Sequence, residues 1–272
     1  MLDARDAADV RRLLDIDPVG DVFVASRLLA GGFDERRLGA QLWGFGDRGR
    51  LDAICYSGAN LVPVQAGPEA VRAFADRARR QGRRCSSIVG DARAVVQLWE
   101  QLEPVWGEAR EVRLRQPLMR IDAAPEVAAD PRVRRVQPAE VELLMPACIA
   151  MFTEEVGVSP LAGDGGRLYR ARVAELVHSG RAYAVVEDGR VLFKAEVGAA
   201  TADVCQVQGV WVEPALRGSG LGTAGTAGVV ELARREVAPV VSLYVNDFNL
   251  AARRAYDKVG FRQAGTCASI LF

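Results

Sequence analysis

The chain has 272 residues, half of them hydrophobic and about a quarter charged, and its Lys and Arg together equal its Asp and Glu at 35 each. That length suits two modest domains better than one, and a net charge of zero supplies no basic surface of the kind that holds nucleic acid. The apolar stretches are broken by charges well short of the roughly 18 residues a membrane span needs, and the start MLDARDAADVRR is too charged for a secretion signal. The expected compartment is therefore the cytoplasm, with neither membrane nor nucleic acid as partner. Cys55, Cys85, Cys148, Cys205 and Cys267 form no CxxC pair, which argues against a disulfide framework and a zinc site. The single histidine, His178, stands just before Gly180 at the end of a helical stretch, where the helix dipole favours it. His-based triads and multi-His metal sites drop out, and no metal is expected.

In the first half, QLWGFGDRGRLDAICYSG predicts two strands around a turn at Asp47-Arg48-Gly49. Pro68 to Arg80 predicts a helix, RRCSSIVG a strand, DARAVVQLWEQLEPVW a helix and EVRLRQPLMRI a strand. The segment IDAAPEVAADPRV, with two prolines and no period, predicts a linker at 123–132 between a domain of residues 1–122 and one of residues 133–272.

The second half opens with strand-like VRRV. Pro138 suits a first helical turn, and AEVELLMPACIAMF continues as a helix that Pro146 is expected to kink or break. A second helix spans about Arg167 to His178. AYAVVEDGRVLFKAEVG then changes to a period of two around Asp188-Gly189, the pair best suited to a tight hairpin. A strand over Val204–Val212, a helix over Thr223–Glu236, a buried strand in VVSLYVN, a helix from Asn249 to Val259 and a closing strand in FRQAGTCASILF complete the order. SSIVGDARAVVQLWEQL and SLYVNDFNLAARRAYDKV share a strand-to-helix switch, and the repetition implies tandem domains.

Chemistry concentrates in VQGVWVEPALRGSGLGTAG, where a strand runs into Arg217-Gly218-Ser219-Gly220-Leu221-Gly222 and a helix follows at once. Backbone N–H groups at a helix N-terminus form an anion cradle, and glycine lets a diphosphate approach them closely. On spacing alone the turn also fits tight packing or a dinucleotide fingerprint. Against the latter, the spacing is GxGxG behind an Arg, it follows antiparallel strands, and there is no Walker lysine. Asn249, Ala252 and Tyr256 recur at i, i+3 and i+7, which presents Asn249 and Tyr256 on one helix face, although a lone Tyr there also suits a core.

Val210 to Gly222 together with YVNDFNLAARRAYDKVGF resembles the GNAT superfamily of N-acetyltransferases. Its pattern is a strand, Arg/Gln-x-x-Gly-x-Gly/Ala, a helix, a strand, then Asn and Tyr on a helix ending in Gly-Phe. Arg217, Gly220, Gly222, Asn249, Tyr256 and Gly260-Phe261 match each part. The whole chain is similar to GNAT proteins that carry an N-terminal domain of unknown function. The resemblance implies tandem GNAT-like α/β domains, each a mixed, largely antiparallel sheet flanked by helices, with the first lacking the cofactor motif. It implies acetyl-CoA as cosubstrate and transfer of its acetyl group to a primary amine. Val210 and Val212 would meet the acetyl-pantetheine arm through their backbone, Arg217 to Gly222 the diphosphate, and Asn249 the pantetheine, with Trp211, Thr223 and Ala252 also among the cofactor-binding residues. Tyr256 would be the general acid. At a Tyr pKa near ~10 against ~8.5 for a departing thiol, full proton transfer runs uphill by about 2 kcal/mol. Glu196 is the candidate base, and Glu154 and Glu155 the candidate acceptor-site carboxylates. A CoA-binding sensor with little turnover and a transferase of another acyl or aminoacyl group are the alternative readings; oligomeric state is not legible.

Overall fold

A computed structural model describes every residue except Arg48 and Gly163. The first half of the chain forms α1 (Ala7–Leu14), α2 (Val22–Gly31), α3 (Glu35–Leu38), β1 (Gln41–Asp47), β2 (Arg50–Ser57), β3 (Asn60–Val64), α4 (Pro68–Gln81), β4 (Ser87–Asp91), α5 (Ala92–Trp106) and β5 (Glu111–Ile121). The second forms β6 (Arg134–Arg135), α6 (Val141–Val156), α7 (Arg167–His178), β7 (Ala182–Glu187), β8 (Arg190–Ala200), β9 (Val204–Val212), α8 (Leu221–Glu236), β10 (Val240–Tyr244), α9 (Leu250–Val259) and β11 (Arg262–Leu271). Among the described residues no helix is long and apolar enough to cross a membrane.

Two compact units emerge. The first gathers Met1–Met119, Tyr244–Phe248 and Gln263–Phe272, and the second Arg120–Leu243 and Asn249–Arg262. Each is a mixed, mostly antiparallel sheet with helices against it. The strand order in the first is β1-β2-β3-β4-β11-β5. Its core joins Trp43, Phe74, Leu98, Trp99 and Ile270, and α1 and α2 cover a second cluster that includes Leu13, Val24 and Ile54. The β1–β2 turn expected at Asp47-Arg48-Gly49 includes Arg48, which lies outside the described residues. Sequence reading groups the closing strand with the C-terminal half. In the structure β11 runs antiparallel to β4, with Cys267 opposite Asp91 and Leu271 opposite Ser87. Buried Gln116 of β5 accepts from the Ser269 hydroxyl at 2.6 Å and donates to Asn246 at 2.8 Å, so this polar trio is satisfied inside the first unit.

The second unit has the order β10-β9-β8-β7-β6. Its β7–β8 hairpin turns at Asp188 (φ 49°) and Gly189 (φ 69°), both left-handed as a tight Asp-Gly turn requires. The helix α6 runs through Pro146 rather than breaking there. Pro146 and Glu142, whose carbonyl the proline ring displaces, both lie on the exposed face, so water can satisfy that carbonyl. The helices α6 and α7 cover one face through Leu144, Cys148, Val173 and Val177. On β8, Phe193 meets Gly225 of α8, where a Cβ would come within 2.8 Å of the ring. A side chain at 225 would push α8 off the sheet.

Candidate active site

Strand β9 is parallel to β10 and pairs with it only at its start, Val204 with Val240 through Gln206 with Ser242. Beyond Gln206 the two strands part, and the stretch of β9 leading to Val212 has no β10 partner. Its other edge is also interrupted. Against β8, Glu196 faces Gln208 but Lys194 faces Trp211, so that Gly209 and Val210 of β9 stand against Ala195 alone on β8. The extra residue is a bulge centred on Gly209, whose φ of +59° is a left-handed conformation that disfavours any side chain. A split between parallel strands and a bulge beside it thus fall together at Val210–Val212.

From Val212 the chain passes a short 3-10 turn at Pro214–Leu216 and enters α8 through Arg217–Gly220. Gly218 (φ +82°) and the N-cap Gly220 (φ +93°) are left-handed, and a Cβ on either would meet nothing within 4 Å. Among the described residues, the N–H groups of Gly218, Gly220, Leu221 and Gly222 have no acceptor, while Thr223 and Ala224 N–H both bond the Gly220 carbonyl at 3.0 Å. These open donors head a 16-residue helix whose dipole is positive there. The Arg217 side chain is placed by the chain itself: its Nε donates to the Val212 carbonyl at 3.1 Å and its Nη2 to Glu154 at 2.7 Å. The other Glu154 oxygen accepts from the Trp211 indole at 3.3 Å.

Asn249 is the N-cap of α9, and its side-chain oxygen accepts from Ala252 N–H at 3.1 Å. The same helix carries Tyr256, 7 % exposed, against the ring of Phe261 at 5.9 Å. Burial first, and then the Glu155 carboxylate, push the Tyr256 phenol above its ordinary value.

Residues 160–261 match the family model described as the acetyltransferase (GNAT) family. The chain carries a GNAT acetyltransferase domain. Residues 40–144 match a domain of unknown function, DUF4081. No curated protein matches the chain. Among solved structures, a GNAT-family acetyltransferase from Colwellia psychrerythraea is 12% identical at a TM-score of 0.56, with 96% of this chain and 97% of that one covered. A Drosophila protein is 13% identical at a TM-score of 0.63 over 97% and 96%. An N-acetyltransferase from Kribbella flavida is 16% identical at 0.52 over 92% and 95%. At these identities the likeness is one of fold.

Within the GNAT domain, the sequence-chosen residues fall into three groups. Arg217–Gly222 and Thr223 line the turn into α8, Val210–Val212 the end of β9, and Asn249, Ala252 and Tyr256 one side of α9. Glu154 and Glu155 end α6, with Glu154 bound to Arg217 and Trp211. Glu196 is engaged at both oxygens, by the Lys194 ammonium at 3.0 Å and by the Gln208 amide at 3.0 Å. Sequence reading missed Lys194, which is 1 % exposed. The available signal was its i, i+2 relation to Glu196 on a strand that is otherwise apolar after Arg190.

Proposed function

We propose that the GNAT domain binds acetyl-CoA and transfers the acetyl group to a primary amine by direct attack. The observation that carries this reading is the set of four unsatisfied N–H groups at the start of α8, set after the strand end where β9 has lost its β10 partner. A diphosphate needs many donors and close backbone approach, and Gly218, Gly220, Leu221 and Gly222 supply both. The pantetheine arm would lie along the unpartnered edge of β9 at Val210–Val212, as an added strand does, with the Asn249 amide alongside.

The amine nitrogen would attack the thioester carbon, the C–S bond would break, and Tyr256 would hold or deliver the proton at sulfur. The ammonium form of the acceptor would first lose its proton to water or to a cleft carboxylate. Because Glu155 raises the Tyr256 pKa, neutralising that carboxylate, or placing a cationic amine beside it, would make Tyr256 a better acid. An acyl-enzyme is disfavoured, since all five cysteines are buried and burial pushes the Cys148 and Cys205 thiols up, Cys205 to about 12.

One observation favours the sensor reading: Glu196, the carboxylate placed nearest the β9 bulge, is held in an ion pair and is not a free base. Acetyl-CoA titrated calorimetrically into the full chain, followed by thiol release with a panel of amines, decides between them. Binding without release from any amine favours the sensor; no binding at all overturns both.

A further inference from the structure

A buried ion pair lies directly beside the β9 bulge. A Cβ built on Gly209 would lie 3.0 Å from Lys194 Nζ, 3.1 Å from Met151 Cε and 3.2 Å from Glu196 Cδ. The bulge is thus enclosed by Lys194, Glu196 and one α6 residue. Lys194 Nζ donates to Glu196 Oε2 at 3.0 Å, and the two side chains are 1% and 11% exposed. The second oxygen, Glu196 Oε1, accepts from Gln208 Nε2 at 3.0 Å, and Gln208 is the residue immediately before the bulge. The ammonium also faces the Cys148 thiol of α6. Desolvation opposes its charge, and Glu196 and Cys148 outweigh that, so Lys194 stays protonated. Lys194 and Glu196 are the two β8 residues that bracket the register shift, one on each side.

A bulge is one of several registers open to a strand, and sliding by one residue turns every side chain over. Apolar side chains of similar volume would stabilise the same core at least as well as a buried ion pair, but they do not discriminate between registers as a charged pair with fixed partners does. We propose that the Lys194–Glu196 pair, extended through Gln208, is a positioning element that locks the Gly209 bulge and thereby fixes the Val210–Val212 backbone where the acyl thioester is received. The proposal rests on the acyl-transfer reading. It makes Glu196 a positioning residue rather than the base.

The test is Lys194→Met with Glu196→Gln, which removes both charges at nearly constant volume and leaves Gln208 a partner. Expected are an unchanged melting temperature, a CoA affinity within about threefold of wild type because the diphosphate contacts lie at α8, and a kcat at least tenfold lower. The Gly209 amide signal, read by NMR on glycine-labelled protein, should shift or broaden. If the double variant does not fold, Gln208→Met at the partly exposed end of the network takes its place, with the same loss in kcat expected at smaller size. A wild-type kcat together with an unshifted Gly209 signal would overturn the proposal and leave the pair as core filling. If wild-type protein binds no CoA, the transfer reading is what fails, and the Gly209 signal in the variant still decides whether the pair holds the bulge.

Discussion

Arg217 is bound by Glu154: the guanidinium Nη2 stands 2.7 Å from one carboxylate oxygen while Nε holds the Val212 carbonyl. A diphosphate at the α8 turn would compete with Glu154 for that guanidinium. Glu154→Gln keeps an acceptor for Trp211 and releases the charge. CoA affinity is expected to rise two- to fivefold at low salt, the scale of a half-exposed pair worth about 0–1 kcal/mol, with the gain shrinking toward ~1 M salt. Calorimetry at two ionic strengths measures it, and a lower affinity would mean that Glu154 pre-arranges Arg217 for the ligand instead.

Gly220→Val places a branched side chain in the open space over the α8 donors and in a left-handed backbone conformation that Val resists. CoA binding should weaken at least tenfold, about 1.4 kcal/mol, in a protein whose circular dichroism is unchanged. An unaltered dissociation constant in a folded variant would make the turn a packing feature.

Tyr256→Phe retains the contact with Phe261 and removes the hydroxyl. A general acid contributes roughly 10²-fold or more, so kcat should fall by that much with CoA affinity and melting temperature near wild type. Lost stability with unchanged turnover would instead mark a core tyrosine.

Asp21 gives the first unit a pH dependence. It accepts from Gln65 at 2.8 Å, yet burial, helped by Asp17 and Asp91 and opposed by Gln65, raises its pKa to about 7. A folded pKa above the unfolded one favours the protonated fold. The stability this group contributes is therefore full below about pH 4 and is lost as pH rises through about 7. Asp21→Asn does not titrate, so its stability relative to wild type should grow from pH 4 to pH 8 by up to about 4 kcal/mol. Denaturant unfolding followed by tryptophan fluorescence reads it, since Trp43, Trp99 and Trp106 lie in this unit. An equal difference at both pH values would show that Asp21 has an ordinary pKa.

The elements nearest the site were the most legible in the sequence, because glycine, proline and period agree there. Gly220 and Pro239 bracket α8, Asn249 and Gly260 bracket α9, and Asp188-Gly189 marks the hairpin. The N-terminal helices went unread, since α3 is one turn long and α1 is too short to show a sustained period. At Pro146 the sequence allows a kink or a break; α6 continues through it with the proline on the exposed face, which a local rule does not register. The Glu154–Arg217 contact joins elements far apart in sequence and could not be read locally; the Lys194–Glu196 pair is local to β8, but that both side chains are buried and that Gln208 of β9 takes the second Glu196 oxygen follow only from the packing.

The seat of β11 sets an order on synthesis. When β4 and β5 leave the ribosome, the strand that belongs between them is still about 150 residues away, or roughly 8–30 s at 5–20 residues per second. Through that interval two sheet edges and the side chain of Gln116 lack their partners, and unpaired edges invite pairing with other chains. The first unit is begun first and finished last, so a nascent chain stalled anywhere before Cys267 carries an incomplete sheet, and chaperone demand should follow the arrival of the closing strand rather than the length already made.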